Sequence, residues 1–148
     1  MNWSHVHLML NHVPVFGLLF GLALFLAAKW RKSVELEKAG LVVFVLMGAA
    51  AGTAYFTGEQ AEVAVTQMPG ISKDIVLAHD DAAFYGVTAA CILGGVALLG
   101  LIFFRGTRTA PRWFGAVVLL LALLSSSVMI WTANLGGHIR HPEIQSRN

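Results

Sequence analysis

Six histidines carry most of the chemistry open to this chain: His5, His7, His12, His79, His138 and His141. Neutral imidazole ligates haem iron, copper and zinc, and it exchanges protons near neutral pH. Three of the six fall within the opening MNWSHVHLMLNHVPVFG, one lies in AHDD, and two lie in NLGGHIRHPEI. The other chemistry-bearing types are sparse. The single cysteine, Cys91, sits inside an apolar run, which rules out an intrachain disulfide. No C-x-x-C-H is present, which argues against covalently attached haem, and no zinc-type cysteine pair occurs. P-loop and G-x-G-x-x-G patterns are also missing. No nucleophile–base pair stands out, so no catalytic residue is assigned.

The elements that must position these histidines read as membrane spans. Of 148 residues 57% are hydrophobic and only 12% charged, against about 25% charged in soluble domains. Four stretches without Asp, Glu, Lys or Arg approach the roughly 20 residues needed to cross a bilayer. They cover about 8–28, 39–56, 82–104 and 113–136. In lipid each must satisfy its own backbone hydrogen bonds, so each is expected to be a helix. The expectation is an all-α, single-domain bundle of four transmembrane helices spanning 1–148. No Lys or Arg precedes the first stretch, which therefore reads as a retained span rather than a cleaved leader.

The connections set a direction. Lys29, Arg31, Lys32 and Lys38 lie between spans one and two, and Arg105, Arg108 and Arg112 between spans three and four. The opposite side holds Lys73, Arg140 and Arg147. Short basic loops stay in the cytoplasm, so both termini and the loop 58–81 are expected on the outward side. In a bacterial inner membrane that is the periplasm. All six histidines then share the outward end, together with six acids: Glu59, Glu62, Asp74, Asp80, Asp81 and Glu143.

Local signals add detail. Pro69-Gly70 breaks the chain, and Ser72 is placed to cap a helix that begins before span three. EQAEVAVTQ is placed to extend span two in the same way, so a helical collar is expected above the membrane. Pro14 removes an amide and disturbs the first span, leaving the Leu10 carbonyl short of a donor. Asn11 and Asn134 add polar groups at similar depth, and Gly136-Gly137 would let span four end beside a ligand. Gly17-x-x-x-Gly21 and Gly48-x-x-x-Gly52 are small-residue pairs suited to close helix packing. Ser125, Ser126 and Ser127 can hydrogen-bond within or between helices, and Trp3, Trp30, Trp113 and Trp131 suit an interfacial belt.

Haem b fits this pattern best, because its iron takes imidazoles from two helices of an apolar bundle. Depth in the span favours His12 with His79 as the axial pair, with His138 as substitute for either. His5 and His7 read as interfacial, and His141 before Pro142 as solvent-facing. The rival is a copper or zinc site drawn from His12, His79, His138, His5 and His7, with Met9 or Met68 adding sulfur for copper. A di-iron site is weaker, since Glu59-x-x-Glu62 lacks the Glu-x-x-His pair. The third reading is an accessory subunit without cofactor. A redox role would call for another membrane subunit, a second copy or a quinone, or for a basic soluble electron carrier drawn to the acidic outward end. Nothing suggests nucleic-acid binding.

HLMLNHVPVFG, the later AHDD and the closing NLGGHIRHPEI resemble a group of uncharacterised four-helix bacterial inner-membrane proteins. These open with His-x(4)-His-x-Pro, here His7, His12 and Pro14, and carry a further histidine at their third span and a Gly-Gly pair closing the fourth. The sequence is more distantly similar to a group opening HP-x-x-V-H-F-P, from which it departs at Leu8 and Val13. The resemblance implies a four-helix inner-membrane fold and shared histidines at His12 and His79. It implies no activity.

Overall fold

A computed structural model of the chain describes residues 2–105 and 110–140. The described residues are helical apart from short connections and contain no strand. In order they form α1 (Trp3–Leu10), α2 (His12–Arg31), α3 (Val34–Val65), α4 (Lys73–Phe103) and α5 (Arg112–Arg140). α1 and α2 together make one rod, so four helical rods are long and apolar enough to cross a membrane. The fold is that of a multi-pass membrane protein.

The helices outrun the apolar stretches that announce them. α3 continues to Val65 and α4 begins at Lys73, so both stand beyond the apolar runs as a collar. Ser72 takes the extended N-cap conformation at the start of α4, but its hydroxyl makes no capping hydrogen bond. Gly70, at φ 85°, makes the preceding turn. The first rod is interrupted at Asn11, whose helical dihedrals keep the chain nearly in line. The cause lies three residues on: Pro14 has no N–H to offer the Leu10 carbonyl.

At the other end α2 closes on Lys32 in the left-handed conformation, φ 52°. Ser33 then caps α3 by accepting from Leu36 N at 3.2 Å. This tight reversal brings Lys29 Nζ to 2.7 Å from Glu37 Oε1. The ammonium also lies 4.8 Å from the centre of the Phe25 ring. A Cβ on Gly115 of α5 would sit 2.8 Å from Nζ, so the ion pair is wedged between three helices. Replacing Glu37 by Ala removes this partner from a lysine that is 40% exposed. It is expected to cost about 1 kcal/mol or less, read as lost thermal stability in detergent, with less loss when Lys29 becomes Met as well.

Around the bundle the order is α2, α3, α4, α5, and α5 closes back on α2. α3 and α4 approach most intimately where Gly48 meets the Ala90 carbonyl and Gly94 meets that of Phe44. Gly17 and Gly21 serve differently, seating the side chains of Met47 and Phe44, while Gly52 faces open space. Leu18, Phe25, Phe44, Leu93 and Val118 fill the centre. Ser125 and Ser126 are buried on α5, and neither hydroxyl finds the hydrogen bond that serines in a span usually make. α1 departs from the ring. It packs on α3 but, among the described residues, makes no close approach to α5.

Candidate functional site

The two histidines that turn into the bundle are His7 on α1 and His79 on α4, and both are half-buried. His7 Nδ1 lies 3.0 Å from the carbonyl oxygen of Ala54 on α3. His79 Nδ1 lies 3.0 Å from the carbonyl oxygen of Thr132 on α5. A carbonyl only accepts, so each Nδ1 carries the proton and donates it. Nε2 is thereby left as the lone-pair nitrogen of each ring, the form that binds a metal.

A glycine four residues beyond each carbonyl seats the ring. A Cβ on Gly58 would come within 3.0 Å of His7 Cε1, and one on Gly136 within 3.0 Å of His79 Cε1. Residues four apart lie one turn up the same helix face. Each imidazole therefore sits with Cε1 against a glycine, one turn from the carbonyl that orients it. Thr57 adds to the first seat: its hydroxyl donates to the Ala54 carbonyl at 2.9 Å and lies 3.4 Å from His7 Nδ1. In the second, Thr132 supplies the carbonyl from a buried position and ties its own hydroxyl to Val128 O at 3.0 Å.

The two halves are equivalent. In each helical hairpin the first helix supplies a histidine, and the second supplies a carbonyl and a glycine at i and i+4. The arrangement is a parallel internal repeat of structure, although the chain carries no strong repeat of sequence. The two rings come from α1 and α4, which lie diagonally across the bundle.

The remaining histidines are placed otherwise. His12 is exposed and stacks on Phe16, itself exposed, with ring centres 6.3 Å apart and planes 17° apart. His5 is exposed near the start of α1, where its backbone N–H is capped by Asn2. His138 is half-buried on α5, two residues beyond the Gly136 seat. His141, with Glu143 and Arg147, lies outside the described residues. Met9 and Met68 are exposed and Tyr55 packs edge-on against Phe84, at the same end of the bundle. Among the described residues no group of three or more His, Cys, Asp or Glu side chains converges as a metal site.

No family model, curated protein or solved structure matches this chain. The chemistry of the site therefore rests on its geometry.

His7 is the residue that sequence depth alone undervalues. It sits five residues before His12, about 140° around the helix, so only one of the two can face α3. The signal that marks it is the pairing of a histidine with a glycine on the next helix, visible only once the helices are set side by side.

Proposed function

We propose that the protein is a haem b-binding membrane subunit, with His7 and His79 as the axial ligands. The observation that carries this reading is the matched pair of seats. Each imidazole donates its Nδ1–H to a helix carbonyl, which leaves Nε2 as the lone-pair nitrogen of the ring. Orientation of a ligating histidine through its other nitrogen is what metal sites require.

The number of ligands separates haem from its rivals. Zinc takes about four protein ligands, or three with a water. A porphyrin brings its own four nitrogens and asks the protein for one or two axial groups. A pair of inward imidazoles suits the second demand. A haem held there supplies a one-electron carrier. The protein's own contributions are to fix both rings, to keep their tautomers and to surround the site with apolar helices. The histidine end, taken as periplasmic from the basic loops at the other end, would be the side from which a further membrane subunit or a soluble carrier exchanges electrons.

The direct test is the visible spectrum of detergent-purified protein from cells supplied with haem precursor. A low-spin spectrum with one haem per chain is expected. Colourless protein that also refuses added haemin would overturn the reading, and bound copper or zinc would replace it with the metal-site alternative.

The acids at the histidine end bear on the partner. Glu59, Glu62, Asp74, Asp80 and Asp81 belong to that end, with Lys73 and Arg140, among the described residues. A basic soluble electron carrier is therefore expected to dock faster at low ionic strength, slowing as salt shortens the screening length to about 10 Å at 0.1 M. Stopped-flow oxidation of the reduced protein at several salt concentrations reads this directly. A rate indifferent to salt would assign the exchange to a membrane partner instead.

A further inference from the structure

The two histidine seats share a plan but differ at one position. Each orienting carbonyl is followed by a residue at i+3 and a glycine at i+4. In the first seat these are Thr57 and Gly58; in the second they are Leu135 and Gly136. Thr57 is buried, and Leu135 is half-buried. Only the first seat therefore has a hydroxyl at this place beside the ring.

Counting donors shows what that hydroxyl does. Ala54 lies inside α3, so its carbonyl takes the Gly58 N–H in the helical ladder. It also accepts from Thr57 Oγ1 at 2.9 Å and from His7 Nδ1 at 3.0 Å. Three donors thus share one oxygen with two lone pairs. Thr132 lies inside α5, and its carbonyl takes the Gly136 N–H and the His79 Nδ1–H, the latter at 3.0 Å. There, among the described residues, two donors meet two lone pairs. Both rings stand at the same distance from their carbonyls, so separation does not rank the two bonds. The crowding of the first acceptor does.

Thr57 Oγ1 also lies 3.4 Å from His7 Nδ1. Its one proton is spent on the carbonyl, so toward the ring it can only accept. That contact is beyond the usual N–H···O range and does not offset the competing donor at 2.9 Å. The hydroxyl therefore favours the Nδ1–H tautomer of His7 while drawing on the oxygen that holds it. The supporting helices rank the rings in the same order. His7 belongs to α1, which contains no buried residue. His79 sits on α4 between Val76 and Ala82, both buried.

We propose that Thr57 is a positioning residue that leaves His7 the more weakly held of the two imidazoles, and so the one that exchanges. A firmer Nδ1–H bond makes a ring a stronger donor to metal through its other nitrogen. On the haem reading, on which this step rests, His79 is the permanent ligand and His7 the one that an external ligand displaces. The unequal hydrogen bonding itself is a property of the chain alone.

The test begins without haem, on the ring N–H protons of full-length, 15N-histidine-labelled protein in detergent, read by NMR. His7→Gly and His79→Gly identify the two signals. The His79 Nδ1 proton is expected farther downfield, the mark of the stronger bond. Thr57→Val keeps the branched shape and removes the hydroxyl; it should move the His7 proton downfield, toward that of His79. Thr57→Ser, which keeps the hydroxyl, should leave it where it stands in the parent. Leu135→Thr should move the His79 proton upfield. A His7 proton indifferent to Thr57→Val, or already downfield of His79 in the parent, would overturn the proposal. In reduced, haem-loaded protein the readout is affinity for carbon monoxide, which must displace an imidazole. Thr57→Val should weaken it about twofold to tenfold, the worth of one hydrogen bond. Unchanged affinity would overturn exchange at His7. Protein that takes up no haem would remove the haem reading, and the haem-free spectra would still decide whether Thr57 weakens the hold on His7.

Discussion

Replacing His79 by glycine is expected to abolish the low-spin haem spectrum, and replacing His7 by glycine to do the same. If haem is held as proposed, each loss would leave it a single imidazole ligand, and it would be retained weakly or not at all. Free imidazole added to either variant should restore a low-spin spectrum, because the vacated space against Gly58 or Gly136 has the shape of the ring it held. A histidine that merely packed would show no such rescue. His5→Ala and His12→Ala are expected to leave the spectrum intact, since both side chains are exposed and His12 stacks only on Phe16. Circular dichroism of each variant separates ligand loss from collapse. If His12→Ala bleached the protein while His7→Gly did not, the assignment of the first ligand would be overturned.

The second large effect concerns glycine. A methyl group on Gly136 would lie 3.0 Å from His79 Cε1, so the ring would have to give by a few tenths of an ångström, and 3.4 Å from Nδ1, an ordinary contact. Gly136→Ala is therefore expected to tilt the ring off the Thr132 carbonyl, and Gly136→Leu to evict it. Gly58→Ala should act in the same way on His7 and Ala54. Loss of an orienting partner typically weakens metal affinity by about 10–100-fold, and haem affinity measured by haemin titration should fall by that order. Gly137→Ala, one residue along and facing open space, is the matched control. Equal affinity in Gly136→Ala and Gly137→Ala would deny the seat any role.

The fold was largely legible because its signals are coarse. A run such as 113–136 without a charged residue has few alternatives to a membrane-length helix. Pro69-Gly70 followed by Ser72 places the start of α4 correctly even though the serine hydroxyl makes no cap bond. The site was legible only in part. His79 stands out because it is polar at the head of an apolar helix, and it occupies one of the two seats. For the first helix, depth pointed to His12, whereas what matters is direction. The azimuth of α1 about its own axis is set by Pro14, which is fully buried, and by the packing of Trp3 against Phe56 of α3. Neither is readable from spacing within one helix. Gly136-Gly137 suggested room for a ligand, but Gly58 looked like an ordinary span end. The small-residue pairs were overread as well: Gly48 brings two backbones together, while Gly17 holds Met47 and Gly52 holds nothing.

The isolation of α1 has a consequence for how the molecule comes together. This eight-residue helix contains no buried residue and, among the described residues, leans only on α3 and α2. Segments with few buried contacts open locally at a small fraction of the global free energy. The amides of Trp3–Leu10 should accordingly exchange with solvent deuterium long before those of the α3–α4 interface. Whatever bridges His7 to His79 would clamp the loose segment to the finished bundle. Slowed exchange across α1 when cofactor is added would mark ligation as the closing step of assembly, with the other helices forming a preassembled half that waits for its last strut.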